Sequence, residues 1–332
     1  MESTLTILKK KLAILLFGDE WAHNKKGVKS KNIEHSIAEF TKAIEINPEF
    51  ALAYSNRAYS FFKLKNYLNS IKDYSKAIDL DPSHQKLGSY VQRGICKLNL
   101  SDYNGAILDF TESIELYIST LTNYHPEFRI VKRKSLQVEA YYFRAKSKVK
   151  IKDYKGAIDD YSKAIEINPE FVWAYSERGF AKGHSYTEIH DEVKKLINGD
   201  YIGAISDYSK AIELNKNEAK FYNSRGSMKV RIRNFQDAVV DFTKAIELNP
   251  ENANSFFNRG KTKNLLEDYR GAVEDFTFVL NKLPQNAEAY YFRGLAFIKL
   301  GQKNTGCLDL SRSGELGYGS AYEAIKANCG SV

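Results

Sequence analysis

Seven arginines in this chain recur in one local setting, and guanidinium groups in register are what an anion-binding ladder would need. Arg57, Arg93, Arg144, Arg178, Arg225, Arg259 and Arg293 each precede a small residue: Ala58, Gly94, Ala145, Gly179, Gly226, Gly260 and Gly294. An aspartate follows each arginine by sixteen positions at Asp73, Asp109, Asp160, Asp241, Asp275 and Asp309, and Asp207 is displaced by extra residues. The pattern serves either a row of anion sites or Arg–Asp pairs within or between repeats. The one-to-one pairing favours the second, because a partly buried charge needs a partner. Other chemistry fails on spacing. Gly260-Lys261-Thr262 imitates the tail of a phosphate-binding loop, but Ser255 stands where that loop needs glycine. His184 and His190 are six apart, which does not put them on one helical face for a metal. Asp159-Asp160 opens a recurring phrase and is not an acid/base pair. The expectation is no catalytic residue, no metal and no cofactor.

The elements that position these residues are helices in a repeat. Lys-Ala-Ile-(Glu/Asp)-(Ile/Leu)-(Asn/Asp) recurs at Lys42, Lys76, Lys163, Lys210 and Lys244, and Thr111 to Leu116 is a degenerate copy. The steps Lys42 to Lys76 and Lys210 to Lys244 are both 34 residues. Each unit reads as two helices: the first carries the Arg-small pair, and the second has apolar positions at helical spacing, as in Ile158, Tyr161 and Ile165. Small residues (Ala106, Ala157, Ala204, Ala238, Ala272, then Ala77, Ala164, Ala211, Ala245) alternate with rings (Phe40, Tyr74, Phe110, Tyr161, Tyr208, Phe242, Phe276). Small against large at fixed register is a packing code for close-set helices. Pro48, Pro82, Pro169, Pro250 and Pro284 follow the second helices, where proline ends a helix.

With this spacing the chain resembles the tetratricopeptide repeat (TPR) family, over roughly residues 33–316. The resemblance implies an all-α, right-handed solenoid superhelix of about seven to eight helix hairpins with terminal caps. It divides the chain into a capping helix or partial first repeat at 1–32, the array at 33–316, and a C-terminal capping helix at 317–332. The first unit shows a second helix, Ile33 to Ile46, but no Arg-small first helix, so Leu5 to Asn24 is expected to cap it. The last unit decays, with Gly306, Leu310 and Ser313 replacing Ala, ring and Ala, before a short helix at Ala321 to Asn328. Insertions fall near 118–137 and 184–196. Ile189, Val193, Leu196 and Ile197 predict that the second lengthens a helix.

In this family the first helices line a concave groove that binds peptides or partner helices. The resemblance therefore places Tyr142, Phe143, Lys146 and Lys150 inward, followed by Phe257, Asn258, Lys261 and Leu265, and then Tyr291, Phe292, Leu295 and Lys299. Lys63 and Arg231 take the outer slot. Rings beside cations favour a partner carrying carboxylates, although each ring could instead pack on its neighbouring repeat. The family's clamp for a terminal carboxylate is missing: Ser55, Tyr59, Gln92, Glu139 and Phe143 fill its slots in one frame, and Asn223, Ser227, Asn258, Glu288 and Phe292 in another.

Net charge is +8, unevenly spread. Residues 117–152 hold nine cations, including Arg129, Lys132, Arg133 and Lys134 of the first insertion, against Glu127 and Glu139. A second block, Lys220 to Arg233, has five cations and no acid. Such charge steers acidic partners, or holds nucleic acid by its phosphates, or is a solvated face. Cys96, Cys307 and Cys329 are scattered and odd in number, which argues against zinc or a disulfide framework and for a reducing compartment. Leu12 to Phe17 is too short for a signal peptide and no run spans a membrane, so a cytoplasmic protein is expected. The leading function is a non-enzymatic scaffold for an acidic or amphipathic peptide segment. The alternatives are a nucleic-acid-binding adaptor using 117–152 and an accessory subunit of an enzyme complex.

Overall fold

The computed structural model describes residues 19–81, 86–121, 130–185 and 199–330, apart from the side chains of 120–121 and 130–133. All regular structure in these residues is helical. The chain divides into two compact units, Met1–Phe171 and Val172–Val332. In the first, α1 (Asp19–Lys29), α3 (Ala51–Lys63), α5 (Lys86–Asn99) and α7 (Ile130–Lys150) are first helices; α2 (Ile33–Ile46), α4 (Tyr67–Leu80), α6 (Tyr103–Leu121) and α8 (Tyr154–Ile167) are their partners. In the second, α9 (Val172–His184), α11 (Ala219–Arg231), α13 (Ala253–Leu265) and α15 (Ala287–Lys299) pair with α10 (Tyr201–Leu214), α12 (Phe235–Leu248), α14 (Tyr269–Lys282) and α16 (Lys303–Glu315). A short α17 (Ser320–Asn328) folds onto α16.

The turn inside six of the hairpins follows one recipe. Lys65, Ser101, Lys152, Arg233 and Glu267 adopt φ between 58° and 64°, and Gly301 takes the same place at 80°. A left-handed residue ends the first helix sharply. Four second helices are capped by a carboxylate: Asp102, Asp153, Asp200 and Asp268 accept from the backbone N–H three residues on, at 2.8–3.0 Å.

The core is the small-against-ring code made solid. Phe110, Tyr161, Phe242 and Phe276 are fully buried beside Ala106, Ala157, Ala238 and Ala272. A Cβ on Gly94 would stand 2.7 Å from the Phe110 ring, so the helices of that hairpin meet only because position 94 has no side chain.

The structure departs from expectation at the first hairpin and at the cysteines. Helix α1 pairs with α2, and His23 Nδ1 lies 2.7 Å from Glu39 Oε2, sixteen residues away. The first hairpin thus keeps the pair spacing with different residue types; the part of the expected cap before Asp19 lies outside the described residues. The first insertion extends α6 to 19 residues and α7 to 21. The helix expected in the second insertion lies outside the described residues beyond Ser185.

Ser255 offers no phosphate-loop geometry and is fully buried mid-core, in the register position that Ala53, Ala140, Ala174 and Ala289 fill in other first helices. Cys307 and Cys329 form a disulfide, with Cα atoms 5.8 Å apart, because α17 brings the chain back over α16. Disulfides were set aside on cysteine number and spacing. That argument is overturned, and the cysteine pattern no longer speaks for a reducing compartment. Cys96 is a buried free thiol, raised from its usual range by burial.

Candidate interaction surface on the first helices

All seven arginines make two-point pairs with their aspartates, Nε and Nη2 each meeting one carboxylate oxygen at 2.7–3.0 Å. The third nitrogen reaches the preceding hairpin. Nη1 donates to Thr41, Ser75, Thr111, Ser209, Thr243 or Thr277 at 2.9–3.2 Å in six of the seven. Each of these guanidinium groups therefore bonds within its hairpin and to the one before it. The group also lies over the ring three residues back, as Arg57 does over Tyr54 at 5.6 Å and Arg259 over Phe256 at 5.4 Å. Hydrogen bonding to Asp73 holds the Arg57 guanidinium above its usual range.

A second cation joins five of these sites. Lys97, Lys148, Lys182, Lys229 and Lys263, each one turn beyond its arginine, meet the same aspartates at 2.8–3.1 Å. The Arg-xxx-Lys spacing was visible in the sequence and went unused. Its consequence is large for the basic blocks, since Arg144 and Lys148 of the first and Arg225 and Lys229 of the second are committed to structure.

The expected inward residues divide into packed rings and available cations. Phe143 stacks on the buried Phe110 at 6.2 Å, and Tyr142 sits 4.9 Å from Phe171 and 5.7 Å from Tyr161. Phe257 and Phe292 both pack on Phe276, at 5.8 and 6.0 Å. Tyr291 lies 4.9 Å from Tyr318, with its hydroxyl raised from the usual range by burial. These rings are half-buried: one side joins the core and the other is open.

Lys146 lies over Tyr142 and Phe143 at 5.6 and 5.9 Å. Lys261 lies 4.7 Å from the Phe292 centroid and bonds Glu288 at 2.9 Å. Asn258 donates to Asn223 at 3.2 Å. Lys150, Arg231 and Lys299 are exposed with no acidic partner among the described residues. Lys134 is exposed; Arg129 and the side chains of Lys132 and Arg133 lie outside the described residues. In the first unit a cleft of about 760 Å³ is lined by Trp21, Ser55, Asn56, Tyr59, Gln92 and Leu136 among others, without a cation. The sequence reading missed Trp173 and Phe180, large rings on α9 that are 41% and 36% exposed.

Paired helices, interlocking guanidinium pairs and open ring–cation surfaces define an all-α helix-hairpin repeat protein. Tetratricopeptide-repeat models match residues 51–84 and 219–252, and a TPR-repeat model matches 145–183. Over the described residues the chain thus has the architecture of an array of roughly seven to eight TPR-like helix hairpins, matched by repeat models in three segments, and members of that family are generically non-catalytic. A comparison with curated protein sequences returns no match.

Among solved structures, the fold is similar to a tetratricopeptide repeat protein from Parabacteroides merdae, at 16% identity over 84% of this chain and 98% of that one, TM-score 0.55. It is also similar to the C-terminal part of a TPR repeat-containing protein from Cytophaga hutchinsonii, at 17% identity over 78% and 94%, TM-score 0.57. A third likeness is to the APC/C hetero-tetramer Cut9–Hcn1, at 17% identity over 90% of this chain and 52% of that one, TM-score 0.52.

Proposed function

We propose that this protein is a non-enzymatic scaffold whose first helices hold an acidic or amphipathic segment of a partner protein. Tyr142, Phe143, Lys146 and Lys150 serve in the first unit, and Arg231, Phe257, Asn258, Lys261, Tyr291, Phe292 and Lys299 in the second. The observation that supports the reading is that half-open rings share first helices α7 and α15 with exposed cations that have no acid beside them among the described residues. Lys150, Arg231 and Lys299 are exposed and unpaired among the described residues, whereas the lysine one turn past each of five arginines is bound to aspartate. An acid on the partner gains Coulomb energy with the free cations, and its apolar side chains cover the open ring faces.

Nucleic acid is a second reading, favoured by the exposed Lys134, Lys150 and Lys152. A cytoplasmic setting is proposed with it, one in which Cys96 stays a thiol and the Cys307–Cys329 pair meets the cellular thiol pool.

Salt separates the two partners. We expect an acidic, apolar-rich peptide to bind the full chain with shallow salt dependence, and a single-stranded oligonucleotide or a basic peptide to bind far more weakly. Tight oligonucleotide binding that collapses steeply with salt would contradict the scaffold reading, since steep loss marks counterion release from phosphates.

A further inference from the structure

The second basic block contains five cations, and the structure commits three. Arg225 and Lys229 hold Asp241, and Lys220 reaches Glu177 at 3.3 Å. Arg231 and Arg233 stay exposed with no acid beside them among the described residues. Arg231 closes a stripe on α11 that runs Lys220, Ser224, Ser227, Arg231, with spacings of four, three and four residues.

The same register positions on the two flanking first helices are bulky. On α9 they are Trp173, Glu177, Phe180 and His184; on α13 they are Asn254, Asn258, Lys261 and Leu265. The Glu177–Lys220 pair ties α9 to α11, and the Asn258–Asn223 hydrogen bond ties α11 to α13. The faces are therefore adjacent. A serine projects much less than a Trp or Phe ring, so the surface dips over α11 between Phe180 on one side and Lys261 on the other. The Ser227 hydroxyl already donates to the Asn223 carbonyl at 2.9 Å, so an apolar group can cover it without stranding a donor.

We propose that this dip takes an acidic segment of a partner protein, one large apolar side chain of which sits over Ser227 beside Phe180 while a nearby carboxylate meets Arg231. The occupant is set by charge and shape: the free charge at the rim is cationic, the α9 wall carries the exposed rings Trp173 and Phe180, and the floor is small and already hydrogen-bonded. Trp and Arg are the residue types that most often dominate such contacts. The proposal rests on the scaffold reading and narrows it to α9, α11 and α13.

The test uses the full chain and a fluorescein-labelled Glu-Asp-Glu-Leu-Phe-Glu-Asp-Glu peptide, with anisotropy as the readout. Ser227→Trp fills the dip, and Arg231→Glu reverses its free charge on an exposed side chain that the fold does not use. Each should weaken binding by roughly tenfold or more, as should replacing Leu-Phe of the probe by Ser-Ser. Lys155→Glu, exposed on the second helix α8 of the other unit, should leave the affinity unchanged. If the probe binds but Arg231→Glu binds like the wild type, the dip is not the site, while the scaffold reading stands. If the wild type does not bind the probe, both fall. A single-stranded oligonucleotide that displaces the probe, and is itself lost with Arg231→Glu, would give this surface to nucleic acid and overturn the proposal.

Discussion

Arg178 and Asp207 form the same two-point pair as Arg225 and Asp241, at 2.7 and 2.9 Å in both, although 29 residues separate the first two and 16 the second. Thirteen additional residues between the helices of that hairpin leave its geometry intact. Helix packing sets the pair, and the connecting segment does not.

That pairing predicts an asymmetric mutant cycle. Asp241 is shared by Arg225 and Lys229, so Asp241→Ala strands two cations, whereas Arg225→Ala leaves Lys229 on the carboxylate. Removing one partner of such a buried pair costs about 3–5 kcal/mol. We expect Asp241→Ala in that range, Arg225→Ala below it, and the double variant below their sum. Strict additivity in denaturant titrations would separate the arginine from the aspartate and return it to ligand binding.

Ser255 is fully buried, and its hydroxyl has no hydrogen-bond partner among the described residues. Ser255→Ala should therefore stabilise the protein by about 1 kcal/mol, while Ser255→Leu and Ala238→Leu should each cost roughly 1–3 kcal/mol by overpacking. A destabilised Ser255→Ala in thermal melts would mean the hydroxyl bonds a group not seen here.

Acid should loosen the first hairpin. Hydrogen bonds from His23 and then Lys42 hold Glu39 at a pKa of about 2, below the usual carboxylate value. A carboxyl depressed in the folded state contributes stability that is full above its unfolded pKa and is lost as pH falls through the folded one. The loss therefore runs from roughly pH 4.5 down to 2. Glu39→Gln should flatten that part of the stability profile. An unchanged slope would show that the His23–Glu39 contact contributes nothing.

The disulfide should matter at the C-terminal end. Helix α17 buries only Ala321 and Ala324 fully or nearly so, and a bond closing a loop of this length contributes about 3 kcal/mol. Reduction, or Cys307→Ser, should make hydrogen exchange in α17 much faster while leaving α11 to α14 unchanged. Equal exchange in both redox states would show that α17 holds by packing alone.

Much of this fold is legible in the chain, because a repeat states each packing rule many times. Gly94 against Phe110 and Arg93 sixteen residues before Asp109 recur often enough to be read as grammar. His23–Glu39 escaped because the geometry is kept while both residue types change. Ser255 is hard to place from the sequence for a related reason: serine is polar, and only its register position, alanine in several neighbours, reveals it as core. The Cys307–Cys329 bond depends on a return helix that occurs once. For the candidate site, residue types alone could not tell Lys261, which is held by Glu288 and two rings, from Arg231, which has no acid beside it among the described residues. That distinction needs the positions of all the acids.

The scaffold account is tested most directly by hydrogen–deuterium exchange on the full chain with and without saturating acidic, apolar-rich peptide. The account predicts protection on the first helices, strongest in α11 and α13 and present in α7 or α15, with α8, α12 and α14 unaffected. Protection confined to the second helices, or none at a peptide concentration where binding is saturated, would contradict it.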